Sequence, residues 1–151
     1  GAANSGTAAY FAGGDEGSVV ATVDKFAFSD DSRTTLGTGL SAASFYLAGA
    51  ANSGTAAYFA GGYSVITTVD KFAFSDDGRT TLGTGLSAGR YALAGAANSG
   101  TAAYFAGGAA GSLVVATVDK FAFSDDGRTT LGTGLSAVNH YVSGAANSGT
   151  L

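Results

Sequence analysis

The residues best suited to chemistry are three acidic pairs, Asp30-Asp31, Asp76-Asp77 and Asp125-Asp126. Adjacent carboxylates suggest a Ca²⁺ site or an acid–base pair. Calcium takes about six or more oxygens, more than one such turn supplies. Glycosidic acid–base pairs act across a fixed gap, and adjacent turn residues diverge. The flanking Ser29, Gly78 and Arg79 instead give these pairs the composition of a hairpin turn. His140 is the single histidine, set between Asn139 and Tyr141. A catalytic triad or a metal site needs partners that no spacing in the chain assigns, so His140 reads as a surface contact. Asp24-Lys25, Asp70-Lys71 and Asp119-Lys120 read as ion pairs between repeated units, or as side chains reaching opposite edges. With no cysteine there is neither a disulfide nor a thiolate metal site. No set of nucleophile, base and orienting residue can be named, so the chain reads as non-catalytic, with no cofactor and no metal.

Charge narrows the partners. Charged residues make up 12% of the chain and the net charge is −4, spread evenly along it. No basic stripe exists to hold a phosphate backbone, which argues against nucleic acid. The apolar runs are short and interrupted by glycine, which argues against a membrane span.

The elements that position these residues repeat. GAANSGT begins at Gly1, Gly49, Gly95 and Gly144, giving periods of 48, 46 and 49 residues. TAAYFAGG follows from Thr7, Thr55 and Thr101, TVDKFAFSDD from Thr22, Thr68 and Thr117, and RTTLGTGLSA from Arg33, Arg79 and Arg128. A period near this length belongs to propeller blades or to helical pairs. Glycine, threonine and β-branched residues crowd every segment, which disfavours helix. Four strands per repeat are expected; in the last repeat they are Tyr91 to Ala97, Thr101 to Ala106, Val114 to Phe123 and Arg128 to Leu131. The second of these is apolar on both faces, so each sheet must be covered on both sides. Tyr10, Tyr58 and Tyr104 with Phe11, Phe59 and Phe105 are therefore expected between sheets. The first strand of each repeat is almost wholly alanine and glycine, as strands converging on an axis require.

The unit resembles the kelch repeat. The resemblance rests on TAAYFAGG with the double glycines Gly13-Gly14, Gly61-Gly62 and Gly107-Gly108, followed by VDKFAFSDD. Thr34-Thr35, Thr80-Thr81 and Thr129-Thr130 stand where that family carries a tryptophan. The near-identity of the copies is also similar to highly repetitive natural or designer propellers. The resemblance implies an all-β chain of β-propeller blades, four antiparallel strands each. The blades would be residues 1–48, 49–94 and 95–143, with an extra closing strand over 144–151 that duplicates the start. Propellers close with about four to eight blades, and three do not make a ring. Closure by homo-oligomerisation is expected: a homotrimer of nine blades is favoured, a homodimer of six comes next.

The repeats differ in two windows. One follows the double glycine, at residues 15–21, 63–67 and 109–116; the other follows LSA, at 43–46, 89–92 and 138–143. In a four-stranded meander these are the second-to-third and fourth-to-first connections, which lie on one face. Loops on a rigid scaffold are where binding resides. The expected binding face is Phe45, Tyr46, Tyr63, Arg90, Tyr91, Asn139, His140 and Tyr141, with a glycan or protein as ligand. The alternative is an amplified or engineered self-assembling propeller with no ligand of its own.

Overall fold

A computed structural model describes residues 1–146, and they are all-β. The first sheet contains β1 (Ala2–Asn4), β2 (Ala8–Asp15), β3 (Val19–Ala27) and β4 (Arg33–Thr35). The second contains β5 (Ala48–Asn52), β6 (Ala56–Ala60), β7 (Val69–Ala73) and β8 (Arg79–Thr81). In the third, β9 (Ala94–Asn98) and β10 (Ala102–Ala106) are followed by a small hairpin of β11 (Ala109–Ala110) and β12 (Leu113–Val114). Then come β13 (Val118–Ala122) and β14 (Arg128–Thr130). Each four-stranded sheet is an antiparallel meander in chain order.

The turns follow from the residues. Thr7, Thr55 and Thr101 donate their amides back to the carbonyls of Asn4, Asn52 and Asn98 at 3.0, 2.9 and 2.9 Å. The glycine before each threonine takes a left-handed φ of 72–77°, which costs glycine little and other residues more. At the SDD turns the first aspartate accepts from the backbone two residues on, at 3.0, 2.9 and 2.8 Å. The second aspartate is itself left-handed, with φ 56° in all three copies.

Some expected boundaries move. Tyr91 to Leu93 lie outside a strand, because Ala92 turns the chain with φ 54°. The third strand of the last repeat starts at Val118, because Leu113–Val114 pair back onto Ala109–Ala110. No strand includes Gly144–Ala146; the rest of the proposed closing strand lies outside the described residues.

The sheets stack in chain order, and strand alternation divides the labour. Tyr10 faces the second sheet while its neighbour Phe11 faces away. Tyr58 then faces the third sheet and Phe59 turns back to the first. One core joins Ala8, Tyr10, Val23 and Leu40 to Ala57, Phe59 and Phe72. The next joins Tyr58, Val69, Leu86 and Leu93 to Ala103, Phe105 and Phe121. The middle sheet is thus covered on both faces. Burying one such aromatic contributes about 1.5–3 kcal/mol.

The small first strands lie one against the next. A Cβ on Gly49 would strike the carbonyl of Gly1; one on Gly95, that of Gly49; one on Gly144, that of Gly95. Side chains are excluded there by backbone against backbone, which accounts for the alanine–glycine composition of β1, β5 and β9.

Candidate functional site

The two variable windows meet on one face. Gly62 donates to the carbonyl of Arg90 at 2.8 Å, Tyr63 to that of Phe45 at 2.8 Å, and Tyr91 and Ala109 exchange bonds of 3.1 and 2.9 Å. The fourth-to-first connections are further tied in series. Ala92 donates to the Tyr46 carbonyl and Tyr141 donates to the Ala92 carbonyl, both at 2.8 Å. All three residues are left-handed, with φ 59°, 54° and 56°.

This series gathers an aromatic surface. The Phe45 ring stacks on Tyr63 at 4.4 Å and lies 4.6 Å from Tyr46. Tyr46 meets Tyr141 edge-on at 5.7 Å and approaches Tyr91 at 6.4 Å. His140 lies 4.7 Å from Tyr141. Tyr46, Tyr63 and Tyr141 are exposed, and Phe45 and Tyr91 half-buried. The neighbouring position is alanine in the middle copy, so Tyr46 and Tyr141 meet over Ala92. The Tyr141 hydroxyl is held above its ordinary pKa, by desolvation first and then by the charge of Tyr46. Asn139 is exposed beside this surface and is tied through its backbone to Gly108 and Val115.

Arg90 corrects the expectation. It is 0% exposed and lies under the face rather than on it. Its guanidinium reaches Asp119 at 2.6 Å and the carbonyls of Gly107 and Thr117 at 3.1 and 2.8 Å. A buried arginine is held by pairing and hydrogen bonding, and this one locks the second sheet to the third. Burial lowers the Arg90 pKa from its ordinary value, and Asp119 opposes that. For Asp119 burial is the largest influence and acts upward. Hydrogen bonds from Thr130 and Ser87, together with Arg90, outweigh it and leave the carboxyl below its usual range. The corresponding residue one copy earlier is Ser44, and a small cavity remains between Ser44 and Asp70.

Two of the six aspartates that suggested chemistry, Asp77 and Asp126, are joints. Asp77 accepts from the Tyr10 hydroxyl at 2.7 Å and from Lys25 at 2.8 Å. Asp126 accepts from Tyr58 and Lys71, both at 2.7 Å. The aspartate of each Asp-Lys pair works in the opposite direction. Asp70 accepts the amide and hydroxyl of Ser41 at 2.8 and 2.9 Å, and Asp119 those of Ser87 at 2.9 and 2.8 Å. In the middle sheet the Asp-Lys pair therefore binds both neighbours, Asp70 the sheet before and Lys71 the sheet after; on the end sheets Lys25 and Asp119 each bind the one neighbour present. The inter-sheet role of the second turn aspartate was missed in the sequence. The signal for it was the invariance of Tyr, Lys and Asp together across the copies. Among the described residues, no three His, Cys, Asp or Glu side chains gather as a metal site.

No known family model matches the chain, and no curated protein matches it.

Proposed function

We propose that the chain is a non-catalytic scaffold of kelch-like propeller blades that binds a ligand on the face carrying the variable loops. The observation that carries this reading is the surface of Phe45, Tyr46, Tyr63, Tyr91 and Tyr141 with His140, assembled from four separate loops. Rigid aromatic side chains supply contact area at low entropic cost, and tyrosine adds a hydrogen-bonding tip. Tyr46 and Tyr141 occupy left-handed backbone that a large residue enters only at a cost. Strain of that kind clusters at binding sites. The rings of Phe45, Tyr46, Tyr63, Tyr91 and Tyr141 bring no formal charge to the surface at neutral pH, which suits an uncharged, flat ligand. A neutral glycan fits best, and a protein loop is the competing ligand.

Four of the chain's seven tyrosines lie on this surface and there is no tryptophan, so tyrosine emission reports on it in part. Titration with a panel of neutral oligosaccharides should shift that emission for at least one member. Tyr46→Ala with Tyr141→Ala should abolish the shift and leave the far-ultraviolet circular dichroism intact. Binding that survives the double substitution would place the ligand elsewhere.

The inter-sheet joints support the alternative reading, an amplified or engineered scaffold that assembles with itself. Their repetition with the same residue types makes each sheet face a template for the next. Ring closure by three copies, giving nine sheets, is favoured over two copies giving six.

A further inference from the structure

The two end faces carry complementary halves of a joint that the chain makes internally twice. On the first sheet the outward face presents Phe11, 53% exposed, where its counterparts Phe59 and Phe105 are 3% and 0% exposed. Beside it Phe28 is 48% exposed, whereas its counterparts Phe74 and Phe123 pack 5.0 and 5.2 Å from Tyr10 and Tyr58. Asp31 stands exposed on the same side, left-handed like Asp77 and Asp126. On the third sheet, the outward face presents Tyr104 and Lys120, cross-strand neighbours like Tyr10 with Lys25 and Tyr58 with Lys71. Tyr104, Leu135 and Val142 line an open apolar trough. Over the corresponding residues Tyr58, Leu86 and Leu93, that space is filled by Ala103, Phe105 and Phe121.

We infer that these faces are the two sides of a docking site for a second copy of this chain. Tyr104 and Lys120 of one copy engage Asp31 of the next, whose Phe11 fills the trough. The inference rests on the stacked-sheet reading and not on the aromatic ligand face. Charge complementarity selects the occupant. The third sheet offers a cation and a phenolic donor, and the first offers the carboxylate that those groups grip in both internal joints. Ser41 and Ser87 donate to Asp70 and Asp119 across those joints. Ser136 holds the corresponding position on the third sheet, and Asp24 on the first. The contact is heterologous, leading face to trailing face, so it propagates until it closes. Gly144 already sits against Gly95 as Gly95 sits against Gly49. The incoming copy's first residues and this chain's Gly144–Ala146 therefore compete for one place, and because both read Gly-Ala-Ala the exchange is between equals.

Native mass spectrometry and sedimentation of the intact chain test the site. The unaltered chain should run at two or more times its own mass, in whole multiples. Lys120→Glu, which sets a carboxylate against Asp31, should raise the assembly dissociation constant at least tenfold. Asp31→Lys should do the same. The two together in one chain should restore assembly, since the pair is then reversed. Circular dichroism of each variant, and its urea midpoint at a concentration where parent and variant are both monomeric, should match the parent, separating lost docking from lost folding. A monomer at every concentration overturns the inference, as does assembly indifferent to both single substitutions. Either result leaves the ligand face untouched.

Discussion

The Tyr58 hydroxyl donates to Asp126 at 2.7 Å across 68 residues of sequence, and Tyr10 makes the same bond to Asp77 at 2.7 Å across 67. A lysine from the strand beside the tyrosine closes on the same carboxylate in each case, at 2.7 and 2.8 Å. Two copies of one geometry supply an internal control. Tyr58→Phe should lower stability in urea by about 1–3 kcal/mol, the range for depriving a charged acceptor of its donor. Tyr104→Phe should leave the stability of the monomer within about 0.5 kcal/mol, as expected of a surface change. Equal losses would mean that Tyr104 has an internal partner.

The phenylalanines offer a second contrast. Phe59→Ala should cost roughly 3–5 kcal/mol, because it empties a core that also holds Tyr10, Val23 and Phe72. Phe11→Ala, in the same sequence context but on an open face, should cost the isolated chain far less. Paired denaturation curves decide this, and an unchanged midpoint for Phe59→Ala would contradict the stacking.

Titration should bound stability on both sides. Asp119 is held below its ordinary value of 3.8, so the folded state favours its charged form. That contribution is complete above the unfolded value and is lost as pH falls through the folded one, below about pH 4. Lys25 is raised above 10.5, first by its bond to Asp77, and Tyr10 above 10.0, first by burial. Both contributions are present below the unfolded values and disappear as pH climbs through the folded ones. The urea midpoint should therefore be flat in the neutral range and fall beyond both limits. Asp77→Asn should shrink the alkaline fall without abolishing it, since burial of Tyr10 and the raised Tyr58 remain; an alkaline fall that persists unchanged in this variant would show that this joint does not contribute.

At the proposed ligand face, stability and binding should oppose one another. Tyr46 holds φ 59° and is half exposed. Tyr46→Gly removes the left-handed penalty, about 1 kcal/mol, while glycine's larger unfolded-state entropy takes some of it back. The thermal midpoint should hold or rise while glycan binding disappears. A fall of several degrees would show that the ring stabilises the loop.

Copy number can be read from parity. Asp31→Lys and Lys120→Glu on separate chains complement each other only in strict alternation, which demands an even number of copies. Mixing the two should fail to restore a closed trimer, whereas both substitutions in one chain should succeed. A two-copy ring would instead recover in both experiments, and native mass distinguishes the cases.

Much of the fold was legible because the same signals occur three times. The break expected between the first two strands and the alanine-rich first strand each forecast the local structure found there, whereas in the first copy β2 runs on through Gly13 and Gly14 to Asp15. The stacking was legible from strands apolar on both faces. Arg90 was not, because its position is serine in the first copy and asparagine in the third. A varying arginine in a loop reads as surface until Asp119 is seen beneath it. The turn aspartates were half read: Asp76 caps the turn as its neighbours suggest, but Asp77 reaches a partner 67 residues away that no local pattern can name. The aromatic face was found through variation, and its closeness depended on Ala92, whose small side chain lets Tyr46 and Tyr141 meet.

The glycine column at Gly1, Gly49, Gly95 and Gly144 brings each sheet against the next by main-chain contact, so the spacing at that edge does not depend on side chains. Duplicating or deleting one repeat lengthens or shortens the stack by a fixed step and leaves every other joint as it was. A change in repeat number would then read out as a change of size, with the same Tyr–Lys–Asp joint available at each new contact.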